Sequence, residues 1–330
     1  MKALVYTGPK AMRFTDVPDP RPGPGHSVVQ VDSVGICGSD MHGYLGHDPR
    51  RTPPLVLGHE AAGVVVAGAQ EGRRVTVNPL ITCGECRDCR SGRTNICQRR
   101  ELLSIPPREG AFAELVAVPD GNLIDVPEGI SSERAAMVEP MAVCWHAARL
   151  AGGLMSETLG DCRILVVGGG AIGFGTAICL QALGAIDILI LEPNSVRRRY
   201  LASATGFTVI DPADGVPDRG EYDLVADAVG SDGTRAESSR SVRQGGLILH
   251  LGLHSATGGL DARRMTLQEI RFQGTYAYTA SAFREAAAAV FDNRLGALDW
   301  TEIRPLRDGG RAFKDILSGN VPAPKIILQP

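Results

Sequence analysis

No stretch of this 330-residue chain is apolar for long enough to span a bilayer, since a membrane helix needs about 20 consecutive apolar residues. No basic leader followed by an apolar run opens the sequence at Met1. No secretory signal is therefore visible, and a cytoplasmic location is expected. Basic residues are not in excess: 34 Lys and Arg against 37 Asp and Glu leave a net charge of −3. That balance gives no electrostatic argument for nucleic acid or an anionic membrane as partner. Internal repeats and low-complexity tracts are also missing, which excludes solenoid and array architectures. What remains is a globular balance, 44% hydrophobic and 22% charged, in a chain too long for one ordinary core. Two domains are expected.

Four of the eight cysteines, Cys83, Cys86, Cys89 and Cys97, crowd into the run CGECRDCRSGRTNIC. Two-residue gaps let neighbouring thiolates converge on one tetrahedral ion, and the longer last gap returns the loop to close the site. Four thiolates fill every position on zinc, so this ion would staple a lobe at about residues 80–100 and chemistry must lie elsewhere. Disulfides are the competing reading, and a chain without a secretory signal weighs against them. Arg87, Arg90, Arg93, Arg99 and Arg100 surround the loop, which makes a non-catalytic zinc protein the alternative of a different class. No aromatic lies between Cys83 and Cys97, and an RNA- or DNA-reading surface would want one.

The first part of the chain reads as strands and turns, with β-rich pieces at 1–6, 27–34, 61–66 and 74–77 between Gly and Pro clusters. From about Ser131 the character changes. Residues 131–150 open with a helix-start signal, a cap Ser followed by an acid. Apolar runs then alternate with helical patterns at 163–168, 171–183, 186–191, 196–204, 224–229 and 246–252. That alternation predicts an α/β fold with a doubly wound parallel sheet. A helix at 283–292, a short strand at 303–305, a last helix and a strand at 325–328 follow.

The strand at 163–167 runs into Gly168-Gly169-Gly170-Ala171-Ile172-Gly173 and a helix, the context in which GxGxxG implies a dinucleotide site. Gly168 allows the tight turn, Gly170 lets backbone approach a pyrophosphate, and Gly173 lets helix and strand pack closely. The N–H groups of the helix start, at Ala171 and Ile172, would face the phosphates. The next strand ends at Glu192, where an acid reaches the ribose hydroxyls and repels a 2′-phosphate, which favours NAD over NADP. Arg197, Arg198 and Arg199 stand against this, because an arginine there can pair with a phosphate.

Three scattered segments carry further zinc-ligand chemistry: Cys37 in GICGSDMH, His59 and Glu60 in LGHE, and Glu139 in VEP. Three protein ligands with one exchangeable position make a catalytic zinc. Removing a hydride from an alcohol carbon needs an alkoxide-like oxygen. Zinc lowers the pKa of bound water by about 9 units, roughly 12 kcal/mol, against roughly 3–5 kcal/mol from a general base alone. The metal would do most of the activation. Ser39 and His42 would carry the proton away, Ser39 at the substrate oxygen and His42 towards the cofactor ribose and solvent.

These segments, with GAFAE (110–114), EPMAVCWHA (139–147), VVGGGAIG (166–173), AVGSDG (228–233) and QEIRFQGTYAYT (268–279), resemble the zinc-dependent medium-chain dehydrogenase/reductase family along nearly the whole chain. The polyol, threonine and secondary-alcohol dehydrogenases look nearest. The resemblance implies a GroES-like β-rich catalytic domain from 1–145 and 280–330, and a Rossmann cofactor domain at 146–279. It implies two zinc ions per subunit, NAD, a small alcohol or ketone substrate, and a homodimer or homotetramer. It makes Cys37, His59 and either Glu139 or Glu60 the catalytic ligands, with Glu139 preferred, Cys144 as a rival, and Ser39 at the relay. An NADP-dependent aldehyde or ketone reductase is the alternative within the family. The loop 43–54 is shorter than in sorbitol-like relatives, which puts sorbitol itself in doubt.

Overall fold

The computed structural model describes residues 1–204 and 206–330. They form two compact units. The first comprises Met1–Pro140, Thr279–Asn320 and Lys325–Pro330, and the second comprises Met141–Tyr278 with Val321–Pro324. The first boundary falls at Pro140, inside a helix, rather than at 145. Among the described residues no helix is long and apolar enough to cross a membrane.

The first unit is built on a seven-stranded sheet. Along it lie Leu123–Asp125, Arg74–Val77, Glu60–Ala67, His26–Gly35, Lys325–Gln329 and Thr301–Pro305, with Leu115–Pro119 also paired to His26–Gly35. In His26–Gly35, Val28, Val29, Val31 and Val34 are all buried, and β-branched residues suit such a pleated, packed surface. The last strand, Lys325–Gln329, pairs antiparallel with His26–Gly35 and parallel with Thr301–Pro305. The C-terminal strands are thereby sewn into the sheet built by the first part of the chain, while Lys2–Gly8 pairs in a separate three-stranded sheet. Two pairings matter for function: Gly35 stands opposite Glu60, and Ile327 stands opposite Gly35.

The second unit holds six parallel strands: Arg163–Val167, Asp187–Leu191, Thr208–Ile210, Tyr222–Asp227, Val242–His250 and Arg271–Gly274. Numbered in chain order they lie 3-2-1-4-5-6, the order of a Rossmann sheet. Ile164, Leu165 and Val166 have no exposure at all, as parallel strands covered on both faces require.

The helical region expected at 131–150 is two helices, Ser132–Ala136 and Val138–Leu154. Ser131 caps the first, its side chain accepting from Arg134 N–H. Pro140 explains the break, because it has no N–H to give to the carbonyl four residues back. A proline is tolerated only in a helix's first turn, so the second helix restarts just before it.

Candidate active site

In the cysteine lobe, Cys86 caps the one-turn helix Arg87–Arg90 and its sulfur accepts from Cys89 N–H. The strands Leu80–Ile81 and Glu101–Leu102 pair at its base. Cys97 Sγ lies 3.5 Å from Cys83 Sγ and 3.9 Å from Cys86 Sγ, and Cys83 Sγ lies 3.9 Å from Cys89 Sγ. Disulfide sulfurs would sit at about 2 Å. Four sulfurs about 2.3 Å from one tetrahedral ion stand about 3.8 Å apart, so the donor set fits zinc. Backbone N–H groups of Glu85 and Cys86 draw the Cys83 thiol down to about 6, toward the thiolate a metal needs. Arg93 pairs with Asp88 and Arg99 with Glu85, which engages two of the lobe's arginines locally.

The second donor group is Cys37, His59 and Glu60, whose ligand atoms lie within 4.8 Å of one another. Sheet register assembles it. Gly35 opposite Glu60 places Cys37, two residues on, beside His59. Cys37 is also the N-cap of the helix Gly38–Tyr44, which carries Ser39, Asp40 and His42. Asp40 is fully buried; its Oδ2 accepts from Cys37 N–H at 3.0 Å and its Oδ1 from Gly58 N–H at 3.3 Å. Burial pushes the Asp40 carboxyl up, but the charges of His59 and Arg51 hold it below its usual value. Burial likewise pulls the His59 imidazole down, and Asp40 outweighs it and holds it well above. His59 Nδ1 faces Asp40 Oδ1 at 3.4 Å and Ser104 Oγ at 3.3 Å. Nε2 is therefore the nitrogen left for a metal, and Ser39 Oγ stands 3.5 Å from it. This set fits zinc: one sulfur, one imidazole nitrogen and one carboxylate, with the imidazole oriented through its other nitrogen.

Glu60 is not held by those donors alone. Lys325 Nζ donates to both Glu60 oxygens at 2.7 Å and to Ile36 O at 2.9 Å, and all are buried. Burial lowers the Lys325 ammonium's pKa, but Glu60, then Cys37 and Glu139, raise it above its ordinary value. Gly35 must be glycine here, since a Cβ would fall 2.0 Å from Glu60 Oε2.

The sequence reading preferred Glu139 as third ligand and kept Glu60 as the alternative; the structure brings the Glu60 carboxylate within 4.8 Å of the Cys37 and His59 donor atoms, and Glu139 is near enough to raise the Lys325 ammonium's pKa. Glu60 follows His59 in the strand that faces Gly35, and Glu139 is buried in the first turn of Val138–Leu154. Cys144 is not in the set. Its thiol donates to Ile172 O at 3.3 Å, and its sulfur sits 2.7 Å from where a Gly175 Cβ would be. It is a packing residue of the second unit. His42 lies one turn past Ser39 on the same helix, its ring 6.5 Å from that of His47. Sequence reasoning missed Asp40, Ser104, Arg51 and Lys325. Lys325 had left a signal, a lysine opening the otherwise apolar KIIL.

In the second unit the glycine turn leads into the helix Ala171–Ala182, with Gly170 as N-cap. Gly168 has φ +100°, and a Cβ on Gly173 would meet Gly168 O at 1.8 Å. The first helical bond runs from Phe174 N–H to Gly170 O, so the N–H groups of Ala171, Ile172 and Gly173 precede the ladder. Glu192 is buried at the end of the second strand, accepting from Gly169 N–H at 3.0 Å and Asn194 N–H at 2.7 Å. Arg197 Nη1 lies 3.5 Å from Glu192 Oε2. Arg198 is bound to Glu192 O, Pro193 O and Asp211.

The family described as alcohol dehydrogenase GroES-like domain matches residues 23–128. The 2-dehydro-3-deoxy-L-galactonate 5-dehydrogenase of Pseudoalteromonas atlantica is 30% identical, covering 100% of this chain and 98% of its own. Acetophenone reductase from Geotrichum candidum, solved with NAD, superposes with a TM-score of 0.89 at 27% identity, covering 100% and 97%. A candidate zinc-binding dehydrogenase of Sinorhizobium meliloti 1021, bound to NADP, gives 0.88 at 27%, covering 100% and 99%.

Proposed function

The chain belongs to the zinc-dependent medium-chain dehydrogenase/reductase family, and from that premise we propose that it oxidises a secondary alcohol of a polyol, sugar or sugar acid to a ketone with NAD, reversibly. The observation that carries this reading is the contrast between two donor sets in one unit. Four thiols can close a zinc shell completely, whereas Cys37, His59 and Glu60 offer three donors and so allow an exchangeable fourth position. Bound there, zinc would supply a Lewis acid for the substrate oxygen, and the nicotinamide would supply a hydride acceptor.

The chain's own residues do the rest. Asp40 and Ser104 hold the His59 ring at Nδ1. Ser39 Oγ, 3.5 Å from His59 Nε2, accepts the substrate hydroxyl proton while its own proton passes on. His42, on the same helix face as Ser39, leads that proton toward solvent. Glu192 receives the adenosine ribose, oriented by Gly169 and Asn194. Arg197 and Arg198 are engaged at Glu192 and its carbonyl, which supports NAD over NADP, since an acid at the strand end repels a 2′-phosphate. A dimer or tetramer belongs to the same reading, supported by partly exposed Phe272 on the edge strand Arg271–Gly274. Among the described residues no cysteine is joined in a disulfide, which supports a reducing, cytoplasmic setting.

The test is an activity panel of L-galactonate, xylitol and 2,3-butanediol with NAD and NADP, alongside zinc analysis. We expect two zinc ions per chain and kcat/KM at least about 10-fold higher with NAD, the discrimination of one charged contact. No turnover of any secondary alcohol, or a single zinc, overturns the reading. An NADP preference overturns only the role given to Glu192.

A further inference from the structure

Resting on the oxidation proposed above, we infer that Arg51 is a positioning residue for Ser39: it donates to the Ser39 oxygen and steadies the charge that gathers there as the substrate proton moves. Arg51 lies outside regular structure, in the short loop after the helix Gly38–Tyr44. Its side chain is 1% exposed. Arginine is almost never buried so deeply unless it is well paired, and an arginine beside a carboxylate frequently grips it with two prongs. Arg51 does not. Only Nη1 reaches Asp48, at 2.6 Å, and Asp48 is shared with Arg50, which contacts both its oxygens at 2.9 Å. Arg51 Nε is buried with no partner.

Nη2 turns to two hydroxyls, Ser39 Oγ and Ser104 Oγ, each at 3.4 Å. These are the hydroxyls beside the two nitrogens of His59. One fixed cation thus addresses both sides of the same imidazole. The distances are long, as hydrogen bonds in unloaded active sites often are. Gly43 makes room for the arrangement, since a Cβ there would lie 2.6 Å from Arg51 Cδ.

The chemistry follows from what arginine cannot do. It does not release a proton, so it offers Ser39 a charge and a donor but takes no part in the transfer. The substrate hydroxyl proton goes to Ser39 Oγ, and the Ser39 proton leaves toward His42 and solvent. With NAD⁺ bound, the carbinol hydride and its electron pair would pass to the nicotinamide, so that alcohol and NAD⁺ would become ketone, NADH and a proton. Partial negative charge on Ser39 Oγ during this exchange is stabilised by a preorganised, buried cation.

The test uses full-length, zinc-loaded enzyme and the panel alcohol that the wild type oxidises fastest. Arg51→Met should lower kcat about 10- to 100-fold with KM changed less than about 3-fold, the range expected for one lost donor at a developing charge. In a Ser39→Ala background the same substitution should cost less than about 2-fold, because its effect runs through that oxygen. Arg51→Lys should recover part of kcat. Gly43→Ala, which displaces the guanidinium without removing its charge, should lower kcat as well. Zinc content should be unchanged in all of them. Equal losses with and without Ser39, or a loss seen only in KM, overturn the inference. If Arg51→Met does not fold, Arg51→Lys and Gly43→Ala decide, each with and without Ser39; full activity in both overturns it. A wild-type chain inactive on the whole panel sinks the dehydrogenase reading instead.

Discussion

Lys325 and Glu60 form a buried ion pair beside the three-donor group, and their worth lies in what happens when one is removed. Both Glu60 oxygens take the same ammonium at 2.7 Å, and Gly35 leaves no slack on the other side. Deleting one member of a buried pair strands the other charge. Lys325→Met should lower unfolding free energy by about 3–5 kcal/mol in urea titrations of metal-free protein, and adding Glu60→Gln should return part of it. An additive second loss would show that the two side chains do not depend on each other. None of this pairing was legible in sequence, because 265 positions separate the partners and only strand order joins them. The ligand-type residues Cys37, His59 and Glu60 were legible, each inside a short recognisable segment. Arg51 was not, since nothing in GHDPRR distinguishes a buried arginine from the exposed one before it.

At the scale of the element, the helix Asp232–Ser241 carries a pH dependence of its own. Ser231 and Thr234 cap it reciprocally. Near its end, Glu237 accepts from Arg219 at 2.8 and 3.1 Å, from Arg240 at 2.8 Å and from Ser241 at 2.9 Å. Burial raises the Glu237 carboxyl, but the hydrogen bonds from Arg219, Arg240 and Ser241 outweigh it and bring it to about 2. A carboxyl lowered in the folded state stabilises it above the unfolded value of about 4.3 and loses that contribution as pH falls toward about 2. Glu237→Gln should therefore lower Tm at pH 7, and the gap from wild type should narrow progressively below about pH 4.5. A gap that is constant with pH in calorimetry would mean the side chain matters by packing alone. Element types were legible here and through most of the chain, because period-2 and period-3.6 patterns are written locally. The split of 131–150 into two helices had a local signal in Pro140, but the exact stop of the first helix at Ala136 is not written in the pattern.

Taken as a whole molecule, the chain keeps its two chemistries on separate units. The proposed metal donors Cys37, His59 and Glu60 all belong to the unit that holds both chain ends, and the glycine turn with Glu192 belongs to the six-stranded unit. The dinucleotide turn was readable from a single segment because strand, turn, helix and acid follow in order along the chain. The metal donor set was not, since three strands and a helix cap must be brought into register before one carboxylate is preferred over another. That difference predicts separable damage. Cys37→Ser removes a donor that only the first unit uses. It should lose one zinc, keep the other, and drop kcat by about 10³-fold or more, the equivalent of several kcal/mol of lost charge stabilisation. Its NADH affinity, read by fluorescence titration, should match wild type. Gly173→Ala should do the reverse: a Cβ 1.8 Å from Gly168 O forces the turn open, so NADH binding is lost while both zinc ions stay. If Cys37→Ser also loses NADH binding in folded protein, the two units are not independent in binding, and the assignment of metal and nucleotide to different ones fails.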